Sequence, residues 1–180
     1  MHLRRLNPGG GDGLAHDSRG FTLVELMVSL AVLAVLLGMA VPAFNNAALS
    51  GKLSGFASSL VASTQIARSE AIKRNKTVTL CASSGGDACD EPARGWAAGW
   101  IVILDDGESV VQRQEALPSD FLIEEADDKT TLVFPASVIG ATTAAFTICR
   151  ATPVGKQNRV VTVTASGNTR VAMNDTTTCP

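Results

Sequence analysis

Four cysteines, one glutamate inside an apolar run, two groups of carboxylates and a scatter of arginines are the residues of this 180-residue chain with chemistry to offer. Cys81, Cys89, Cys149 and Cys179 all follow the apolar run, and none precedes it. Four thiols allow three pairings. Pairing Cys81 with Cys89 and Cys149 with Cys179 closes a short loop within each part of the chain. The chain-entropy relation assigns about 2.5 and about 3.6 kcal/mol to loops of those lengths. Zinc is the alternative use of four cysteines, but no C-x-x-C occurs, and the two histidines, His2 and His16, lie before the apolar run. Without later histidines, no Ser–His or Cys–His pair can form beyond residue 16. Asp105, Asp106 and Glu108, and again Glu124, Glu125, Asp127 and Asp128, gather carboxylates without the spacing of a calcium loop, and turn chemistry accounts for them better. The pattern points to no metal, no cofactor and no catalytic centre.

Charge is nearly balanced, with 15 basic and 17 acidic residues, so no global field declares a nucleic-acid or anionic-lipid partner. Aromatics are 4% and tyrosine is absent, which leaves little with which to line a large ligand pocket. The distribution is uneven. Asp87 to Asp128 holds 12 acids and two bases, net −10, an acidic flank suited to repel nucleic acid or dock a basic partner. Phe146 to Pro180 holds Arg150, Lys156, Arg159 and Arg170 against Asp175, net +3. Those bases fit either phosphate contacts or the charges that keep edge strands from aggregating.

The elements that must position these groups begin with the apolar run. Met1 to Gly20 has three arginines, a glycine run and no apolar periodicity, and reads as a leader. From Phe21 to Val41 the only charge in 21 residues is Glu25. A helix of that length spans about 30 Å, the thickness of a bilayer core. Arginines before it and none close after it place the N-terminus in the cytoplasm and the cysteines outside, in an oxidising compartment. A carboxylate within such a run costs about 3 kcal/mol and calls for a partner. With cleavage after Gly20, the new ammonium of Phe21 on a neighbouring subunit meets that need; a Glu snorkelling to the headgroups is the plainer account. Val41-Pro42-Ala43 also offers small residues to a conventional signal peptidase, after an apolar stretch longer than usual for one.

Arg19-Gly20-Phe21-Thr22-Leu23-Val24-Glu25-Leu26-Met27 resembles the prepilin signature of type IV pilins and type II secretion pseudopilins. The resemblance implies cleavage between Gly20 and Phe21 by a prepilin peptidase, N-methylation of Phe21, and Glu25 as the assembly carboxylate. Pro42 falls where related helices loosen on assembly; alternatively it marks where the helix leaves the membrane.

Lys52 to Asn75 keeps a helical pattern, with Leu53, Phe56, Leu60, Ala67 and Ala71 close to one face. Joined to the apolar run, it predicts one helix of about 55 residues, roughly 80 Å long. Strand-like segments follow: 77–81, 100–104, 109–116, 121–124, 131–134, 145–150, 159–164 and 169–173, separated by turn formers such as Asp105-Asp106-Gly107 and Ser166-Gly167-Asn168. One long helix followed by short strands predicts an α+β fold, an antiparallel sheet packed on the second half of the helix. Ala67 to Asn75 with Val78 to Cys81, Gly99 to Val102 with Asp105, and the turn Ser166 to Val171 resemble the GspH/FimT branch of minor pilins and pseudopilins. Some members of that branch bind DNA through a Gly-Arg-x-Arg loop. Here the run is Gly167-Asn168-Thr169-Arg170, so only Arg170 carries over.

The expected organisation is a leader over 1–20, a transmembrane and assembly helix over 21–44, a helix packing on the head over 45–76, and a periplasmic β-rich head over 77–180. The expected partners are the prepilin peptidase, other pilins or pseudopilins and the bacterial inner membrane, with DNA as the alternative through Arg150, Lys156, Arg159 and Arg170.

Overall fold

The computed structural model describes residues 20–91, 95–107, 109–137, 139–151, 157–174 and 179. They fall into two units divided between Pro42 and Ala43. Helix α1, Leu23–Arg74, begins where Thr22 Oγ1 accepts the backbone N–H of Glu25 at 3.2 Å. Thr22 is thus the N-cap and Glu25 the third helical residue, the spacing of a capping box. The helical assignment continues through Gly38 and Pro42. At the other end Asn75, at φ 52, takes the left-handed conformation that closes many helices. In the last turns Arg74 binds Glu70 at 2.5 Å, and that guanidinium holds the Glu70 carboxyl below its ordinary pKa.

The eight expected strands are present as β1 Val78–Ala82, β2 Trp100–Leu104, β3 Val110–Gln114, β4 Phe121–Glu125, β5 Thr131–Phe134, β6 Ala144–Arg150, β7 Asn158–Val163 and β8 Thr169–Asn174. They build two antiparallel sheets rather than one, ordered β3-β2-β1-β5 and β4-β6-β7-β8. A short 3-10 turn, η1 Trp96–Ala98, precedes β2 and packs against β4.

Both sheets present alternate residues to one core. Leu53, Ala57, Leu60, Ala67 and Ala71 of the helix meet Val78, Leu80, Trp100, Val102, Leu132 and Phe134 of the first sheet and Phe121, Ile123, Phe146, Ile148 and Val161 of the second. Small helix residues let the sheet approach, and two are buried polar groups. Ser63 Oγ accepts the Trp100 indole N–H at 2.9 Å and itself donates to Ser59 O at 3.0 Å, while Thr64 Oγ1 donates to Leu60 O at 2.9 Å. The Trp100–Ser63 bond satisfies a buried indole donor and fixes the position of the first sheet along the helix. Phe56 stacks edge-on to Phe121 and Trp96 edge-on to Phe146, at 5.0 and 4.9 Å between ring centres.

Both favoured disulfides are formed, Cys81–Cys89 with Cα atoms 5.6 Å apart and Cys149–Cys179 with 5.7 Å. The first draws the loop after β1 over the outer face of the first sheet, where Cys81, Ile101 and Ile103 form a second small apolar cluster. That cover explains why β2 is buried at every position.

Candidate functional site

The N-terminal segment is where the chemistry expected from sequence and the exposed surface coincide. Residues 20–41 and 43–48 are all exposed. Phe21 stands at the start of this run, 80% exposed. Leu26, Met27, Val28, Leu30, Val35, Leu36 and Met39 lie at angles all around the helix, so no face of it is polar. This helix is long and apolar enough to cross a membrane by length and composition. Its one charge, Glu25, sits in the first turn, where a carboxylate complements the positive end of the helix dipole. Ser29 Oγ donates to Glu25 O at 2.7 Å, so the side chains nearest the glutamate are engaged with backbone. Among the described residues the Glu25 carboxylate has no hydrogen bond or ion pair. The capping role of Thr22 was missed in the sequence, although Thr-x-x-Glu before an apolar run is its signature. Among the described residues no atom lies within 4 Å of where a Cβ on Gly20 would stand, so their packing places no demand on glycine there.

The expected basic face does not assemble. Arg159 is 4% exposed and points inward from β7, on the same face as Val161 and Val163. Its Nη2 donates to Ser50 Oγ at 2.7 Å and Ser50 O at 3.5 Å, its Nε to Ser54 Oγ at 3.2 Å and its Nη1 to Asn158 O at 3.2 Å. With its guanidinium committed to the helix, Arg159 is unavailable to phosphate, which corrects its assignment as a DNA contact. Arg170 is exposed on β8, Arg150 is half-buried at the end of β6 and already engaged, and Lys156 lies outside the described residues. The cation that does meet the Ser166–Val171 turn is Arg68 of the helix. Its Nη1 donates to Asn168 Oδ1 at 2.7 Å, beside a Gly167 held at φ 72.

The acidic flank is likewise not one surface. Asp105 and Asp106 lie beyond Leu104, the end of β2 that pairs with Val78; Asp87, Asp90 and Glu91 lie beyond Ala82, whose partner Trp100 is at the opposite end of the same strand. Asp106 accepts the N–H and hydroxyl of Ser109 at 2.9 Å each, and Asp90 those of Ser84 at 2.9 and 3.0 Å, which is turn chemistry. Glu125 belongs to the second sheet and is buried. Its carboxylate accepts backbone N–H groups from Asp127, Lys129 and Ala145 at 2.9, 2.8 and 3.2 Å, with the Lys129 ammonium 3.8 Å away. Lys129 also pairs with Asp127, which raises the lysine pKa above its ordinary value. Among the described residues no group of histidines, cysteines or carboxylates is arranged to hold a metal.

Residues 57–167, most of the packed unit, match the family model described as type II transport protein GspH. The chain belongs to that family. Residues 16–41 match the prokaryotic N-terminal methylation motif, which covers Gly20, Phe21 and Glu25. The GspH fold seen here is similar to that of the Pseudomonas aeruginosa type IV minor pilin FimU in two crystal forms. The identities are 21% and 20% and the TM-scores 0.53 and 0.54, over 67% and 68% of this chain and 92% and 90% of FimU. The minor pseudopilin EpsH of the Vibrio cholerae type 2 secretion system also aligns, at 14% identity and a TM-score of 0.49, over 67% of this chain and 95% of EpsH. No curated protein matches in sequence. Family and motif together make this chain a type IV pilin-like structural subunit with an N-terminal methylation motif.

Proposed function

We propose that this GspH-family chain is a minor pilin or pseudopilin held in the bacterial inner membrane until it enters a pilus or secretion pseudopilus at or near the tip. Residues 1–20 are the leader, removed between Gly20 and Phe21 by a prepilin peptidase, and Phe21 is then N-methylated. Residues 21–44 cross the membrane and later pack against the helices of other pilins or pseudopilins. Residues 45–76 carry the head, and 77–180 form its periplasmic β-rich part.

The observation that supports this reading best is the stretch of α1 from Leu23 to Val41: apolar on every side, exposed at every residue, and carrying one carboxylate three residues beyond its N-cap. Water is no stable environment for that surface; lipid, and later the helices of neighbouring subunits, are. Glu25 is then best satisfied by the ammonium of Phe21 on the next subunit, a pair that specifies axial register more than it stabilises. Pro42, within the same helix, provides a point at which the backbone loosens as the helix leaves lipid for the filament.

The test is Glu25→Ala. Membrane insertion should persist or improve, because an intramembrane charge costing about 3 kcal/mol is gone. Recovery of the variant in sheared filaments should fall sharply. Wild-type recovery would overturn the register role of Glu25.

A further inference from the structure

The four sheet edges of the head differ in how they are protected. Edge strand β3 carries a bulge, because Val102 pairs with Gln112 and Ile103 with Val110, leaving Val111 extra. Edge strand β5 is capped: Val133 N–H donates to Thr142 Oγ1 at 3.0 Å and Thr142 N–H returns to Val133 O at 3.0 Å. Edge strand β4 ends in two glutamates and packs against η1. Among the described residues, edge strand β8 has none of these devices. It pairs with β7 in unbroken register from Asn158↔Asn174 to Val163↔Thr169, holds no proline, and has a single charge, Arg170. Val171 and Met173 are 46% and 64% exposed, although they share the inward face with Val161.

The ladder also states which backbone groups of β8 are open. Thr164 N–H donates to Asn168 O at 3.0 Å, so Thr164 and Asn168 are a hydrogen-bonded pair. Pairs alternate along an antiparallel ladder, so Arg170 and Ala172 are bonded to β7 while Thr169, Val171 and Met173 direct their N–H and C=O groups outward. Beside the start of this edge, between Arg68 and Ile72 of the helix and Asn168 and Thr169, lies a groove of about 400 Å³ with room for side chains of an added strand.

We infer that the outer edge of β8 is a strand-addition site for an extended segment of another polypeptide. That segment has apolar residues facing Val171 and Met173 and an acidic residue beside Arg170. The outward backbone groups supply affinity and the Arg170 charge supplies register. The occupant is acidic rather than neutral because the only charge within Thr169–Asn174 is a cation, Arg170.

The experiment uses the full chain in detergent micelles and a capped peptide alternating valine with threonine, its central threonine replaced by glutamate. Amide exchange at Thr169, Val171 and Met173 should slow by about tenfold on adding the peptide, while Arg170 and Ala172, already bonded, change little. Val171→Pro removes an outward donor and no ladder bond, and should abolish the effect. Should that variant misfold, Arg170→Glu provides the second arm: it should invert the preference for the glutamate peptide over one with lysine in its place. Unchanged exchange at the three amides, or an unchanged peptide order in Arg170→Glu, overturns the proposal. Protection of those amides without peptide that rises with protein concentration also overturns it, because a second copy then occupies the edge.

Discussion

Arg159 on β7 reaches Ser50 on the helix, its Nη2 donating to Ser50 Oγ at 2.7 Å across 109 residues of sequence. With the bond to Ser54, this ties the second sheet to the helix a short way below the fully exposed segment. Arg159→Ala should cost about 2–3 kcal/mol, because it removes the charge-assisted bonds to Ser50 and Ser54. Arg159→Lys should recover part of that, since one ammonium cannot reproduce the fork. Urea unfolding followed by tryptophan fluorescence reads both, with Trp96 and Trp100 in the core as reporters.

Trp100 and Ser63 make the corresponding contact for the first sheet. Ser63→Ala leaves the indole donor buried without its acceptor and should cost about 1–3 kcal/mol. Trp100→Phe in the Ser63→Ala background should cost less than Trp100→Phe alone costs in the parent chain, the signature of a shared bond. Additive losses would show the bond to be worth nothing net.

Gly20→Val should leave an unprocessed precursor in the inner membrane and a head as stable as the parent. No described residue crowds Gly20, so the requirement for glycine is expected to arise from the backbone approach a peptidase needs. Mass measurement of the N-terminus decides it; normal cleavage of the variant would return the choice to a signal peptidase acting near Pro42.

The disulfides should contribute unequally. On loop entropy, losing Cys149–Cys179 costs about 3.6 kcal/mol and losing Cys81–Cys89 about 2.5 kcal/mol. Paired Cys→Ser variants separate them in the same unfolding assay. A larger loss from Cys81–Cys89 would mean that its covering of Ile101 and Ile103 outweighs the loop term.

DNA binding through the head now rests on Arg170 among the described candidates, with Arg159 turned inward and Arg150 engaged. The head should accordingly show little salt-dependent affinity for duplex DNA, and Arg170→Ala should flatten its salt slope by about one contact's worth. A steep slope unaffected by that substitution would point to cations outside this set.

The sequence alone determined the order and type of nearly every element. The apolar run and the i, i+4 helical pattern specify α1, and period-2 runs between glycine- and aspartate-rich turns specify the strands, because those signals are local. The pairing of the cysteines was legible for a similar reason, since each bridge closes a short loop. Only the tertiary structure decided that the strands divide into two sheets, because pairing partners such as Leu80 and Leu132 are far apart in sequence. It alone separated the acidic residues to different ends and sheets. For Arg159 the local signal was present, in its alternation with Val161 and Val163, but charge argued for the surface. Ser50 and Ser54 outweighed that argument: hydroxyls and a helix carbonyl, brought near only by the packed fold, replace the water that a guanidinium would otherwise keep.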